Sequence, residues 1–118
     1  MLPKSHQKLY QKFFTSLTKL RAQVMMKDVD LKRLSNNFQI VQGTFQDQIL
    51  ESMTGNLENS ATYSLQSIQT EIHRTLRLLS TDLLFLQSSY RQRTEEQRLK
   101  IVLDHIEKLI GYCQIILD

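Results

Sequence analysis

The scarcity of helix-breaking residues is the feature that most constrains how this chain can fold. Its only proline, Pro3, is the third residue, so nothing in residues 4–118 must interrupt a helix. Only three glycines occur in 118 residues, whereas folds rich in strands and tight turns need many more of both residue types. Because 41% of the residues are hydrophobic, the chain can also bury a core. The sequence therefore predicts an all-α fold.

Hydrophobic residues recur three and four residues apart in four segments, which is the spacing of an amphipathic helix. They predict helices at about residues 4–26, 31–53, 60–90 and 95–117. The four hydrophobic stripes consist, in chain order, of Leu9, Tyr10, Phe13, Leu17, Leu20 and Val24, then Leu34, Phe38, Val41, Phe45 and Ile49, then Leu65, Ile68, Ile72, Leu76, Leu79, Leu83, Leu86 and Tyr90, and finally Leu99, Val102, Ile106, Leu109, Cys113 and Ile116.

Four amphipathic helices with short connections must bury their stripes together. An antiparallel up-down-up-down four-helix bundle does so with the least strain, and we predict one such domain over residues 1–118. A long helical hairpin that completes its core by dimerising is the alternative, so a homodimer stays open. The third helix is about seven residues longer than its neighbours, so about 10 Å of it can project from the bundle as a contact surface.

Local signals mark the helix ends. Asp28 or Asp30 can cap the second helix, because a carboxylate accepts hydrogen bonds from the free N–H groups of a first turn. Residues 54–59 form the clearest turn, and residues 94–97 (TEEQ) have the pattern of a capping box at the start of the fourth helix. Gly43 lies inside the second helix, where glycine costs about 1 kcal/mol relative to alanine. We expect a close helix contact there.

The chain lacks the residue patterns of common catalytic and metal sites. No Glu-x-x-His pairing of the di-iron bundles occurs, and the glycines lie too far apart for a phosphate-binding loop. Cys113 falls on a stripe, which predicts a small buried side chain rather than a nucleophile. His73 and His105 flank stripes, where we expect partly buried, hydrogen-bonded histidines. The sequence predicts no enzyme activity, no cofactor and no metal.

The cationic surplus is concentrated near the N-terminus. The formal net charge is +3, yet residues 4–27 contain six cationic side chains and no acidic one. Lys4, Lys8 and Lys12 lie four residues apart and share a helix face. This face favours an acidic protein surface. A nucleic-acid-binding regulator that uses the basic first helix is the alternative function, although the helices are too long for a helix-turn-helix.

Two further groups are candidates for binding a protein partner. Arginine suits interfaces because its planar guanidinium pairs bidentately with carboxylates, and several arginines surround the corner between the third and fourth helices. On the third helix, hydrophobic residues fall outside the narrow stripe, so either the core is broad there or an apolar patch is left for a partner or a second copy. These candidates are Arg91, Arg93, Arg98 and Lys100 at the corner, and Arg74, Arg77, Leu78, Leu84 and Phe85 on the helix.

Several features favour a cytoplasmic protein. The longest apolar run, residues 83–86, is far shorter than the roughly 20 residues of a membrane span. The first residues lead into polar, charged sequence, so no signal peptide is visible. A single cysteine cannot form an intramolecular disulfide, which fits a reducing compartment.

Three segments resemble the cyanobacterial PatD family: residues 69–86 with the distinctive stretch QTEIHRTLRLL, residues 45–50 (FQDQIL) and residues 112–114 (YCQ). The resemblance extends over nearly the whole chain. It implies a non-enzymatic cytoplasmic regulator of heterocyst frequency in a filamentous nitrogen-fixing cyanobacterium. It also implies a link to cell division, with the tubulin-like GTPase FtsZ as the partner. It assigns no individual binding residues.

Overall fold

The computed structural model describes the backbone of residues 4–27, 29–49, 60–87 and 92–117, and the side chains of these residues except 5, 60–64 and 92–95. In this part of the chain the helices are α1 (Lys4–Val24), α2 (Leu31–Gly43), α3 (Ser60–Gln87) and α4 (Gln92–Leu117). A π-helical segment, Thr44–Ile49, continues α2. The described residues contain no strand, and the all-α prediction is confirmed.

The helices form an antiparallel bundle. Helix α1 packs against α2 and α4, and α3 packs against α4 and α2. Asp82 of α3 pairs with His105 of α4. One turn further along α3, Phe85 contacts Arg98, which lies two turns before His105 in α4. Helices α3 and α4 therefore run in opposite directions. The molecule measures 50 × 22 × 20 Å, as expected for a bundle of long helices, and the predicted architecture is confirmed.

A single hydrophobic cluster joins the four helices. All five predicted stripe residues of α2 and its π-helical extension are buried. The predicted stripe residues that are only partly buried are Leu9, Leu65, Ile68, Leu99 and Ile116. Tyr90 lies outside the described residues. The buried members of the cluster are Tyr10, Phe13, Leu17, Leu20, Val24, Leu34, Phe38, Val41, Phe45, Ile49, Ile72, Leu76, Leu79, Leu83, Leu86, Val102, Ile106, Leu109, Ile110 and Cys113.

The start of α2 has the predicted carboxylate cap. Asp30 has an extended backbone (φ −87°, ψ 102°), and its side chain accepts a hydrogen bond from the backbone N–H of Arg33 at 3.1 Å. This bond satisfies one of the N–H groups that a first helical turn leaves without a partner. Asp28, the other candidate, lies outside the described residues.

Two other predicted helix ends are corrected. Helix α1 ends at Val24 rather than residue 26. Helix α4 already begins at Gln92, so Thr94 lies within the helix and the capping-box prediction is wrong. The free N–H groups that a cap must satisfy belong to the residues at the true start of a helix. The predicted ends of the second and third helices at residues 50–53 and 88–90, and the turn at 54–59, lie outside the described residues.

The π-helical segment follows from the spacing of the buried residues. Val41, Phe45 and Ile49 are each four residues apart, slightly more than the 3.6 residues of an α-helical turn, so in a continuous α-helix each would turn about 40° further from the core. A π-helix has wider turns, because its hydrogen bonds span five residues. The wider turn keeps Phe45 and Ile49 buried.

The close contact that we expected at Gly43 is wrong. A Cβ atom there would meet only Asp47 among the described residues, with its Oδ2 at 3.6 Å, which is an ordinary van der Waals distance. Gly43 is the last residue of α2 before the π-helical segment. Its small size is therefore not required by the packing of another helix.

Replacing Gly111 with alanine is expected to raise the free energy of unfolding by about 0.5–1 kcal/mol. Glycine loses more backbone entropy than alanine in a helix interior, and a Cβ at Gly111 would meet no atom within 4 Å. Urea denaturation followed by circular dichroism measures the change. Gly43→Ala serves as the comparison, because a Cβ at this position does meet a neighbouring atom. Its gain in the free energy of unfolding should be equal to or smaller than that of Gly111→Ala. A destabilised Gly111→Ala protein would contradict the open space at this position.

Candidate protein-binding site

The outer side of the α3–α4 pair carries exposed hydrophobic residues. Leu78 is 46% exposed, Phe85 50% and Ile101 40%. On α3, Asp82 lies about one turn from both Leu78 and Phe85, and on α4, Ile101 lies about one turn from both Arg98 and His105. Since Asp82 pairs with His105 and Phe85 with Arg98, the two rows adjoin. We call this surface the α3–α4 face: Leu78, Asp82, Phe85, Arg98, Ile101 and His105.

A hydrogen bond between two nearly buried side chains joins the two helices under this face. Nε2 of His105 lies 2.8 Å from Oδ2 of Asp82, and each side chain is only 15% exposed. A carboxylate can only accept, so Nε2 carries the proton. Nδ1 of His105 is buried and has no hydrogen-bond partner among the described residues. In the neutral imidazole Nδ1 is an acceptor, so no N–H group is left unsatisfied.

Cationic side chains flank the hydrophobic residues. The guanidinium of Arg98 lies over the ring of Phe85, with its central carbon 4.7 Å from the ring centroid. Such a contact contributes about 0.5–1 kcal/mol at an exposed site. One turn before Leu78, Arg74 reaches Glu71 at 3.8 Å, an exposed pair of little energetic value. The geometry thus presents an aromatic ring and an arginine that are already held together.

No family model matches this chain, and no curated protein or solved structure is significantly similar to it.

None of the helices in the described part of the chain combines the length and hydrophobicity that a bilayer-spanning segment requires. Among the same residues, no three His, Cys, Asp or Glu side chains come together in a group that could bind a metal ion.

The structure separates the predicted partner-binding residues into different surfaces. Leu78, Phe85 and Arg98 belong to the α3–α4 face, and Arg74 lies one turn before Leu78 on α3. Arg77 is exposed about two turns before Leu84 on another side of α3. Arg91 and the side chain of Arg93 lie outside the described residues. Lys4, Lys8 and Lys12 are exposed on α1, which does not contribute to the α3–α4 face.

Sequence reasoning missed half of the α3–α4 face. Ile101 was not singled out, because it is one exposed hydrophobic residue in a helix whose stripe is complete without it. His105 was expected to be partly buried and hydrogen-bonded, which is confirmed, but its partner Asp82 is on another helix. His73 is partly buried as well, although its Nδ1 has no partner among the described residues. A residue's partner across two helices depends on their register, which no local pattern specifies.

Open grooves also lie elsewhere on the surface. One, of about 540 Å³, is lined by Phe14 of α1 and by residues of α4 around Gly111 and Ile115. Another, of about 340 Å³, lies between α1 and α2, and we call it the α1–α2 groove. It is lined by Lys12, Thr15, Ser16, Lys19, Asn37 and Ile40.

A partly buried polar contact links α1 and α3. The hydroxyl of Tyr10 accepts a hydrogen bond from Nε2 of Gln69 at 2.9 Å. Burial raises the pKa of Tyr10 to about 12 despite this bond. Burial also raises the pKa of the Cys113 thiol to about 12. The prediction that Cys113 is a buried side chain is confirmed.

Proposed function

We propose that this protein is a non-enzymatic, cytoplasmic regulator that binds a protein partner through the α3–α4 face. The observation that carries the proposal is the exposure of Leu78, Phe85 and Ile101, which are 40–50% exposed on adjoining helices. Hydrophobic area left in water is unfavourable, and burying it against a partner would stabilise a complex. Aromatic and arginine side chains such as Phe85 and Arg98 supply most of the affinity in many protein interfaces.

The PatD resemblance supports a more specific form of the proposal. The distinctive stretch, residues 69–79, lies within α3 and contains Arg74 and Leu78, and the wider resembling segment 69–86 also includes Asp82 and Phe85. A PatD-like protein would regulate heterocyst frequency in a filamentous cyanobacterium. Its partner in the cell-division machinery would be FtsZ.

The state of the buried thiol favours a binding role over covalent catalysis. A cysteine nucleophile needs a lowered pKa and access to solvent, whereas Cys113 is fully buried and its pKa is raised to about 12. The thiol is therefore protonated at neutral pH. The most exposed hydrophobic and cationic side chains lie on the outside of the bundle, where a partner can reach them.

Replacing Phe85 with alanine is expected to weaken the binding of purified FtsZ by at least about tenfold, because truncating a central aromatic side chain removes a large part of the binding energy. Biolayer interferometry with immobilised protein measures the dissociation constant. Leu84→Ala is the matched control: Leu84 is also exposed on α3, 63% by area, but lies outside the α3–α4 face. The control should change the dissociation constant by less than about threefold.

Different outcomes exclude different parts of the proposal. If FtsZ does not bind the wild-type protein, the link to cell division is wrong. If FtsZ binds and both variants retain full affinity, the α3–α4 face is not the site. If light scattering shows twice the monomer mass of 13.9 kDa and Phe85→Ala restores the monomer, a second copy of the chain covers the face instead.

A further inference from the structure

The net positive charge of the α-helices lies on the α1–α2 side of the bundle, where the exposed Asp30 and Asp47 adjoin the two ends of α2. Helices α1 and α2 contain seven cationic residues and no acidic one. In α3 and α4 the charges balance, with six residues of each sign. The cationic residues of the first pair are Lys4, Lys8, Lys12, Lys19, Arg21, Lys32 and Arg33. The sequence showed the surplus on the first helix, and the packing of α1 against α2 extends it over two adjacent helices.

The α1–α2 groove lies in the middle of this cationic side. Lys12 and Lys19 line it from α1, about 10 Å apart along the helix axis. Its α2 side includes Ile40, which is 58% exposed, and Asn37. Nζ of Lys12 donates a hydrogen bond to Oε1 of Gln48 at 3.2 Å in an exposed contact. A carboxylate of the ligand can take the place of this amide oxygen as the acceptor, because charge-assisted hydrogen bonds are stronger than those to a neutral amide. The groove therefore combines two cations with one hydrophobic contact.

We propose that the α1–α2 groove binds an acidic polypeptide segment, whose carboxylates pair with Lys12 and Lys19 and one of whose apolar side chains packs on Ile40. The charge of the groove favours an anion, and the exposed Ile40 favours a ligand with hydrophobic side chains. This surface does not include the α3–α4 face, so the protein would bind two ligands at once and act as an adaptor.

The same surface fits a nucleic acid less well. Single-stranded nucleic acids bind by stacking bases on exposed aromatic side chains, but no aromatic residue in the described part of the chain lines the α1–α2 groove. Tyr10 and Phe13 are completely buried, and the partly buried Phe14 lines a different groove. The cationic side chains that line the groove are lysines, which lack the planar bidentate geometry that arginine uses to read base edges. A nucleic acid would contact the lysines but leave Ile40 exposed.

The proposal is tested with a fluorescent synthetic peptide that consists mostly of glutamates with leucines at regular intervals. Fluorescence anisotropy measures its affinity for the protein. The Lys12→Gln, Lys19→Gln double variant is expected to bind it at least about tenfold more weakly than the wild type. The matched control, Lys100→Gln with Lys108→Gln, removes the same charge from exposed positions of α4 and should change affinity by less than about threefold. Ile40→Ala should weaken binding of the leucine-containing peptide but not of a polyglutamate peptide of equal length.

Three results would overturn the proposal. Equal losses in the two double variants would show that net charge alone is responsible. Absence of saturable binding up to about 1 mM peptide, a weak affinity for any specific site, would exclude the groove as a peptide site. Tighter binding of a single-stranded oligonucleotide than of the peptide, abolished by the Lys12 and Lys19 substitutions, would assign the surface to nucleic acid. None of these results depends on whether FtsZ binds the α3–α4 face.

Discussion

Replacing Phe45 with alanine is expected to lower the free energy of unfolding by about 3–5 kcal/mol. Phe45 is completely buried, and its ring lies 5.4 Å from that of Phe13, centroid to centroid. The substitution removes this contact between α1 and the π-helical segment and leaves a cavity. A domain of this size has a total stability of about 5–15 kcal/mol, so the variant would be marginally folded. Urea denaturation monitored by circular dichroism gives the value.

Ile40→Ala is the matched control for Phe45→Ala. Ile40 is also a large hydrophobic residue near the end of α2, but it is exposed, so its replacement should change the unfolding free energy by no more than about 0.5 kcal/mol. A loss of less than about 1 kcal/mol in Phe45→Ala would mean that the side chain is not held in the core. That result would contradict both the π-helical geometry and the packing of α1 on α2.

The protein is expected to lose about 3–4 kcal/mol of stability between about pH 8 and about pH 11. Burial raises the pKa of Tyr10 from 10.0 to about 12 and that of Cys113 from 9.0 to about 12. Folded protein therefore keeps both protons at a pH where the unfolded chain releases them. The stabilisation is complete below about pH 8, and each group's share is lost at about 1.4 kcal/mol per pH unit above its unfolded pKa as the pH rises towards 12.

Cys113→Ala separates the thiol from the phenol in this titration. The variant retains only the Tyr10 contribution, so its loss over the same pH range should fall to about 1–2 kcal/mol. Each protein is compared with itself at two pH values. The loss of unfolding free energy that the smaller alanine side chain causes at every pH therefore cancels. An unchanged pH dependence in Cys113→Ala would contradict the buried, protonated thiol. A flat profile in the wild type would mean that neither group is buried.

The helices and their buried sides could be predicted because their information is local. The three-and-four spacing of residues such as Ile72, Leu76 and Leu79 specifies both a helix and the side that faces the core, and all three are buried. Asp30 caps α2 as its position predicts. The π-helical segment could not be predicted, because successive spacings of four such as those from Val41 to Ile49 also occur in an ordinary α-helical stripe. The capping box predicted at residues 94–97 is wrong, because the same residue types are also common inside helices.

The candidate site was less predictable, because it depends on how two helices align. Leu78 and Phe85 could be singled out from their positions outside the stripe of α3. Their proximity to Ile101, and the Asp82–His105 hydrogen bond beneath them, follow only from the register between α3 and α4. The resemblance to PatD offers a partner but no contact residues. The assignment of the face to a partner therefore rests on exposure and geometry.

Chemical-shift mapping can show whether FtsZ contacts the α3–α4 face. Unlabelled FtsZ would be added to the ¹⁵N- and methyl-labelled protein, and perturbed signals assigned to residues. We expect the signals of Leu78, Phe85, Arg98 and Ile101 to change or broaden first, while those of Leu84 and Ile115, which are exposed elsewhere, stay unchanged. Perturbations confined to α1 and α2, or none at saturating FtsZ, would contradict a protein-binding role for the α3–α4 face.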